Sequence, residues 1–191
     1  MTDNQQADIA WRDGVVPVST RFDDPYFSIE NGLAETEFVF LQGNGLPERL
    51  RNGFHIAELG FGTGLNMLAA WNAWLESGLP GSFRFTSFEA FPMVADDMAT
   101  ALTAFPKMAD LAEPFLEIWA TGQRCFELPG VEVEVILGDA RDTLSVWPGR
   151  ADAWFLDGFA PALNPELWER DLMQAVADHT NLGGTLATYT A

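Results

Sequence analysis

Positive charge is scarce in this sequence, which limits the surfaces that the chain can present. Ten Lys and Arg stand against 28 Asp and Glu, so the formal net charge is −18. An acidic chain repels polyanions in general, and a broad basic face for nucleic acid is therefore not expected. This acidity is the main objection from composition to a nucleic-acid substrate.

Cysteine and histidine are also scarce. The one cysteine, Cys125, excludes an internal disulfide and indicates a reducing, cytoplasmic setting. The two histidines, His55 and His179, lack the spacing of metal ligands, so no metal site is predicted. The longest uncharged stretch near the centre, residues 59–75, contains glycines and asparagines, so no membrane span or membrane partner is predicted. What remains is 191 residues with 48% hydrophobic content, which predicts one domain with a substantial core.

A glycine-rich corner is the most informative stretch. The apolar run at residues 54–59 predicts a strand, and Gly60, Gly62 and Gly64 follow it at alternate positions. Apolar residues then recur at helical spacing, and Thr63 is expected to cap that helix. A strand, a glycine turn and a helix in this order are typical of a nucleotide-binding corner. The alternative is a glycine-rich turn without a ligand.

The spacing of the glycines narrows the ligand. Leu65 occupies the place of the third glycine in G-x-G-x-x-G, which disfavours a nicotinamide oxidoreductase, and no Gly-Lys-Ser/Thr follows, which excludes a P-loop. Glu58 precedes the first glycine by two positions. An acid there suits a ligand with an ammonium or sulfonium group and is unfavourable beside a pyrophosphate. The pattern resembles motif I of the class I S-adenosylmethionine-dependent methyltransferases.

Two later strands are predicted to end in acids at the same cleft. Residues 83–89 alternate as a strand and end in Glu89, which would overhang a ribose and accept from its hydroxyls. The alternative is a solvated glutamate. Residues 131–137 form the next strand, and Gly138-Asp139-Ala140 after it resembles the methyltransferase corner that holds adenine. Asp139 would accept from the exocyclic amine and the Ala140 N–H would reach a ring nitrogen, unless Asp139 only caps a turn or a helix.

A fourth strand is predicted at residues 152–157 and leads to the candidate chemistry. In a doubly wound sheet it neighbours the first strand, so Asp157 and the glycines would face one cleft. Asp157 could accept a proton from an amine or aim it, and Phe159 could stack on a planar base. The segment resembles the acid-Pro-Pro-aromatic loop of amine methyltransferases. The alternatives are a strand-end acid that caps the next turn, and a core phenylalanine.

The rest of the chain fits around these units. Residues 1–50 are predicted to be an N-terminal extension with a β-hairpin, including a strand-like run at residues 35–41, packed on a methyltransferase domain at residues 51–191. Residues 92–119 are predicted to be helical with interruptions at Pro106 and Pro114. A helix at residues 166–177 and a fifth strand at 185–190 follow. A class I methyltransferase usually closes with two more strands, so we expect a fold truncated after strand 5.

The sequence resembles the MnmC/MnmD methyltransferase family from about Trp11 to its end. The most specific run is Trp-Phe-Leu-Asp-Gly-Phe-Ala-Pro at residues 154–161. Further matching segments lie at residues 17–28, 35–44, 58–66, 88–92 and 164–165. The resemblance implies an α/β fold of the class I, Rossmann-like, doubly wound kind. It also implies S-adenosyl-L-methionine-dependent N-methylation of the 5-aminomethyl group on a wobble uridine of tRNA, giving 5-methylaminomethyl-(2-thio)uridine. The implied partners are the tRNA anticodon loop and a fused or separate FAD-dependent oxidoreductase domain.

The resemblance also assigns roles to residues. It places the catalytic acid at Asp157, and we expect substrate contacts at Phe159 and Asn164. The cofactor-binding residues are expected to be Glu58, Gly60, Phe61, Gly62, Thr63, Gly64, Asn66, Glu89, Asp139 and Ala140.

Three departures from the family pattern bear on substrate binding. Leu163 and Ala90 replace lysines that are common in the family. The family's basic C-terminal segment would lie beyond residue 191. Two alternatives therefore stay open, namely a methyltransferase for a small amine or protein and a donor-binding domain without activity.

Overall fold

A six-stranded sheet forms the centre of the protein, as seen in a computed structural model that describes residues 6–28 and 31–189. We number strands from the N-terminus, where three short strands precede the sheet. The sheet strands are β4 (His55–Leu59), β5 (Phe83–Glu89), β6 (Cys125–Leu128), β7 (Val131–Leu137), β8 (Ala151–Leu156) and β9 (Thr180–Thr188). Their order is β6-β7-β5-β4-β8-β9, and all neighbours are parallel except β6 and β7. The predicted adjacency of strands 1 and 4 is confirmed by the pairing of β4 with β8.

Helices cover both faces of this sheet. They are α2 (Leu65–Ser77), α3 (Ala95–Leu102), α4 (Ala109–Ala120), α5 (Ala140–Val146) and α6 (Arg170–Asp178). Helices α2, α3 and α4 pack on one face, and α5 and α6 on the other. Because both faces are covered, β4 and β8 are buried along their whole length, as expected for central parallel strands. Adjacent residues of β8 point to opposite faces: Phe155 packs in the core under α2, α3 and α4, and Trp154 packs in the core under α5 and α6.

The N-terminal segment differs from its prediction. Strands β1 (Ile9–Arg12), β2 (Val16–Ser19) and β3 (Asp24–Pro25) form a small antiparallel sheet, so the hairpin exists but is built from earlier residues. The prediction of a strand at residues 35–41 is wrong, because the chain there is helical. It forms α1 (Gly32–Thr36), a π-helical turn (Glu37–Leu41) and a 3₁₀ turn (Gln42–Asn44). Its buried positions are 32, 36, 40, 41 and 44, and spacings of three and four are helical.

Several boundaries also shift. Pro114 lies inside α4 without interrupting it, whereas Pro106 does separate α3 from α4 by beginning a 3₁₀ turn. The residue at the N-cap of α2 is Gly64, and no side chain caps that helix, so the expected cap at Thr63 is wrong. The helix predicted from residue 166 begins as a 3₁₀ turn and becomes α-helical at Arg170. Residue 190, the end of the predicted fifth strand, lies outside the described residues.

The hairpin of β6 with β7 was not predicted. Gly130 has a positive φ of 82° in the turn that joins the two strands, and Phe126 is buried. The dipeptide Pro129-Gly130 between two apolar runs is a turn signal that could have revealed it. None of the helices in the described part of the chain is long and apolar enough to cross a membrane.

Candidate active site

The carboxyl ends of β4, β5 and β8 open into one cavity of about 670 Å³. This is the edge of a doubly wound sheet at which ligands bind, and the volume suits a small cofactor. Eleven of the thirteen residues proposed from the sequence line it, namely Gly60, Phe61, Gly62, Thr63, Asn66, Glu89, Asp139, Ala140, Asp157, Phe159 and Asn164. Glu58 and Gly64 do not line it.

The glycine loop lies tightly against the end of β8. Gly60 has a φ of 90°, and a Cβ at this position would stand 2.6 Å from the carbonyl oxygen of Asp157. At Gly62 a Cβ would stand 3.1 Å from the ring of Tyr26. Gly64 instead faces Phe115 in the core, which explains why it does not line the cavity. The loop therefore needs glycine both for its backbone conformation and for its close approach to neighbouring chain.

Glu89 holds this loop in place. Its Oε2 accepts the backbone N–H groups of Phe61 and Gly62 at 2.9 and 3.0 Å, and its Oε1 accepts that of Phe91 at 2.7 Å. Burial raises the pKa of Glu89, and these N–H donors oppose the rise. The alternative of a solvated glutamate is wrong, because the residue is only 8% exposed. Contact with a ribose remains a prediction.

Glu58 lies behind the cavity wall. It is fully buried, and its two oxygens accept from Asn66 Nδ2 at 2.9 Å and from Ser87 Oγ at 2.7 Å. Burial, and next the nearby charge of Asp157, raise the pKa of Glu58 well above its usual range. Glu58 is thus connected to the cavity through Asn66.

Asn66 joins the two acids. Its Nδ2 also donates to Asp157 Oδ2 at 2.6 Å, and its Oδ1 accepts from Thr36 Oγ1 at 2.9 Å. Burial raises the pKa of Asp157 to about 6, while the bond from Asn66 opposes the rise. Among the hydrogen bonds of residues 6–28 and 31–189, none reaches Asp157 Oδ1. One oxygen of this carboxylate is therefore held, the other has no hydrogen-bond partner among the described residues, and Asp157 lines the cavity.

The N-terminal segment forms a further wall of the cavity. The Oδ2 of Asp24 accepts the N–H of Ala160 at 3.0 Å, which fastens the loop after β8. The ring of Phe159 packs between Phe22 and Tyr26, with centroid distances of 4.9 and 5.1 Å. Phe159 is therefore only partly buried and belongs to an aromatic wall of the cavity, not to the main core.

Asp139 has a local role that the sequence left open. It caps α5 by accepting the N–H of Arg141 at 2.9 Å, and it pairs with the Arg141 guanidinium at 2.7 Å. These bonds hold the pKa of Asp139 below its usual range. The capping alternative is thus observed. Because Asp139 also lines the cavity, its contact with adenine stays a prediction.

Residues of the wall were missed by sequence reasoning. Phe22, Asp24 and Tyr26 lie in a segment that carried part of the family resemblance but was given no role. Their dense aromatic and acidic character was the available signal. Only the fold shows that they face residues more than 130 positions later in the chain.

The arrangement fits S-adenosyl-L-methionine. The glycine loop offers backbone without side chains, and the acids around it favour a sulfonium and an ammonium group. Within the described residues, no group of three or more His, Cys, Asp or Glu side chains could hold a metal ion.

Comparison with known proteins gives three findings. The model of a family described as S-adenosyl-L-methionine-dependent methyltransferase matches residues 106–191. The "tRNA 5-methylaminomethyl-2-thiouridine biosynthesis bifunctional protein MnmC" of Leptospira borgpetersenii is 42% identical over 95% of this chain and 29% of its own length. The protein of that name from Aeromonas salmonicida is 41% identical over 100% of this chain and 31% of its own length. The chain thus spans about a third of the length of the curated relatives it matches.

A solved structure supports the same relationship. The crystal structure of MnmC2 from Aquifex aeolicus superposes with a TM-score of 0.77 and 25% sequence identity, covering 100% of this chain and 62% of that one. The predicted fold class is confirmed by this likeness and by the sheet order. These matches relate the chain to the S-adenosyl-L-methionine-dependent methyltransferases and, over its full length, to one part of the MnmC proteins.

Proposed function

We propose that this chain methylates the primary amine of 5-aminomethyluridine, or its 2-thio form, at the wobble position of tRNA, using S-adenosyl-L-methionine. The observation that carries the proposal is Asp157, which lines a cavity bounded by the glycine loop and has one oxygen held by Asn66 and the other without a hydrogen-bond partner among the described residues. An acid so placed suits an amine nucleophile, which must present a lone pair and lose a proton.

The tRNA substrate is supported by the relatives. Both named relatives carry tRNA 5-methylaminomethyl-2-thiouridine biosynthesis in their names. Their names also call them bifunctional, in agreement with a second activity in their remaining two thirds. We propose an FAD-dependent oxidoreductase domain, fused or separate, as the partner of this chain. A tRNA substrate places the reaction in the cytoplasm.

The chain's own residues would act as follows. Asp157 Oδ1 accepts a hydrogen bond from the amine, orients it, and takes the proton that the amine loses. Asn66 keeps Oδ2 fixed during this step, so the free oxygen stays aimed at the cavity. Because its pKa is raised to about 6, Asp157 is ionised at neutral pH and is still a better proton acceptor than an ordinary carboxylate.

The donor side has separate residues. S-adenosyl-L-methionine, when bound, supplies an electrophilic methyl group on a sulfonium. Glu89 keeps the loop at residues 60–64 in its conformation, and Gly60, Phe61, Gly62 and Thr63 line the space for the donor. Ala140 lines the same cavity beside Asp139, at the place proposed for the adenine ring.

The nucleotide side is formed by Phe159 and Asn164. We assign base stacking to Phe159, because its ring belongs to the aromatic wall of the cavity. Asn164 lines the cavity and offers an amide for hydrogen bonding to the base.

A small amine or a protein is the second candidate for the substrate. The net charge of −18 favours it, since a cationic amine is attracted to the chain that repels RNA. Binding of the donor without turnover is the third outcome, and it would identify a binding domain.

In the experiment, the purified 191-residue chain is incubated with isotopically labelled S-adenosyl-L-methionine and with tRNA that carries 5-aminomethyluridine. Nucleoside mass spectrometry would then show label in 5-methylaminomethyluridine only. The controls are tRNA with an unmodified wobble uridine and a set of polyamines and lysine peptides. Label in the polyamines or peptides, and none in tRNA, would establish the second candidate instead.

A further inference from the structure

Arg21 stands at the rim of the cavity without an acidic partner. Two basic residues line the cavity, Arg21 and Arg141, and Arg141 is paired with Asp139 and Glu169. No ion pair within the described part of the chain includes Arg21. Its guanidinium lies instead over the ring of Phe91 at 4.5 Å and that of Phe22 at 5.6 Å, and its side chain is exposed.

The position of Arg21 at the cavity distinguishes it, since eight of the ten basic residues in the described part of the chain form no ion pair. The cavity lining is acidic, and includes Asp24, Glu35, Glu89, Asp139, Asp157 and Glu166. Negative charge suits the sulfonium of the donor and the ammonium form in which the amine substrate arrives. It opposes the phosphates that must accompany a nucleotide, so a nucleotide substrate requires a positive contact at the rim.

The surroundings of Arg21 prepare it for that contact. Because aromatic faces hold its guanidinium, its N–H donors are not consumed by a carboxylate and can bind a phosphate with two parallel hydrogen bonds. Phe22 touches both Arg21 and Phe159, so the cation stands beside the proposed stacking surface. The bond from Ala160 to Asp24 fixes this segment to the loop after β8.

We infer that Arg21 binds a backbone phosphate of the RNA strand whose base enters the cavity. The inference rests on the proposed function for its substrate class. Arg21 is thus the residue of this acidic chain that compensates for its repulsion of RNA, at the point where the strand meets the cavity. A phosphate contact positions the strand without reading its sequence.

The test measures RNA binding separately from methylation. The probe is a fluorescent anticodon stem-loop with 5-aminomethyluridine at the wobble position, titrated with the full chain at several salt concentrations. The variants are Arg21→Ala, Arg21→Lys and Lys107→Ala. Lys107 is exposed and does not line the cavity, so its variant removes the same net charge elsewhere. Affinity for S-adenosylhomocysteine serves as the check that each variant is folded.

Arg21→Ala should weaken stem-loop binding by about tenfold at low salt. It should also reduce the magnitude of the slope of log affinity against log salt concentration by about 0.7 to 0.9, the value for one phosphate contact. Arg21→Lys should keep the slope and lose only part of the affinity, and Lys107→Ala should match the wild type in both.

Two results would overturn the inference. Equal effects of Arg21→Ala and Lys107→Ala would mean that only net charge matters, and absence of stem-loop binding by the wild-type chain would remove the RNA contact altogether. Failure of the proposed function looks different, because the stem-loop would then bind through Arg21 while no methyl group is transferred to it.

Discussion

The amide nitrogen of Asn66 donates to Oδ2 of Asp157 at 2.6 Å, and the same nitrogen donates to the buried Glu58 at 2.9 Å. An amide cannot take up a proton, so this bridge holds two acids close together without letting them share one. It lowers the pKa of both acids, against the burial that raises them. One residue therefore couples the donor side of the cavity to the proposed proton acceptor.

Asn66→Ala should reduce kcat by about tenfold to a hundredfold, because Asp157 loses the hydrogen bond that orients it. The free energy of unfolding should also fall by about 1–3 kcal/mol, because a buried carboxylate then lacks a donor. The variant should also shift the acid limb of the pH–rate profile upward from about pH 6, since a bond that lowered the Asp157 pKa is gone. The measurement is kcat and kcat/KM for tRNA between pH 5 and 9.

Thr36→Val is the matched control for this prediction. It removes only the bond to Asn66 Oδ1 and leaves both carboxylates their donor. It should therefore change kcat several-fold at most and leave the pH profile in place. An Asn66→Ala enzyme with an unshifted acid limb would show that the bridge is structural only.

Asp157→Asn should abolish most methyl transfer and yet stabilise the fold at neutral pH. The folded chain raises the pKa of Asp157 from 3.8 to about 6, so the folded state binds this proton more strongly than the unfolded state. The resulting stability is present below about pH 4 and is lost as the pH rises through 6. Asn at this position does not ionise, so the variant keeps this stability at neutral pH. Its free energy of unfolding relative to that of the wild type should rise by roughly 1–3 kcal/mol between pH 4 and pH 7.5.

Urea unfolding at pH 4 and pH 7.5 measures this difference. Glu117→Gln, which removes an exposed carboxylate of α4, is the surface control. Affinity of the Asp157 variant for S-adenosylhomocysteine should stay near that of the wild type. Equal loss of donor binding and of transfer would contradict the role given to Asp157.

Glu89→Ala should weaken S-adenosylhomocysteine binding by about a hundredfold. The change removes the acceptor of three backbone N–H groups, two of them in the glycine loop, so the loop loses the bonds that order it. Glu89→Gln keeps one oxygen acceptor and should lose less. Calorimetric titration with S-adenosylhomocysteine measures these affinities, with Glu117→Ala as the surface control. Unchanged affinity in Glu89→Ala would show that this residue does not belong to the donor site.

Much of this site could be predicted because its signals are local. The strand, the glycines at 60, 62 and 64, and the acid at the end of the fourth strand are contiguous runs whose spacing reflects backbone geometry. The neighbouring positions of β4 and β8 followed from the rule for doubly wound sheets.

The remaining part of the site depends on contacts between distant segments. Asn66 meets Asp157 across 91 positions, and Asp24 meets Ala160 across 136. No periodicity encodes such pairs. Residues 35–41 show the same limit, because their β-branched and aromatic side chains favour a strand while their burial, set by packing on the domain, is helical.

Gly60→Ala should abolish donor binding. Gly122→Ala is the matched control, because it separates backbone strain from the close contact at Gly60. Both glycines have nearly the same φ, 90° and 88°, so alanine strains the backbone alike at both, by about 1–2 kcal/mol. At Gly122 a Cβ would meet nothing within 4 Å, whereas at Gly60 it would stand 2.6 Å from the carbonyl oxygen of Asp157. Because that oxygen is backbone, the glycine loop or the end of β8 must move. Calorimetry with S-adenosylhomocysteine should give wild-type affinity for Gly122→Ala and at least a hundredfold loss for Gly60→Ala, and equal affinities would mean that the contact between Gly60 and Asp157 does not shape the site.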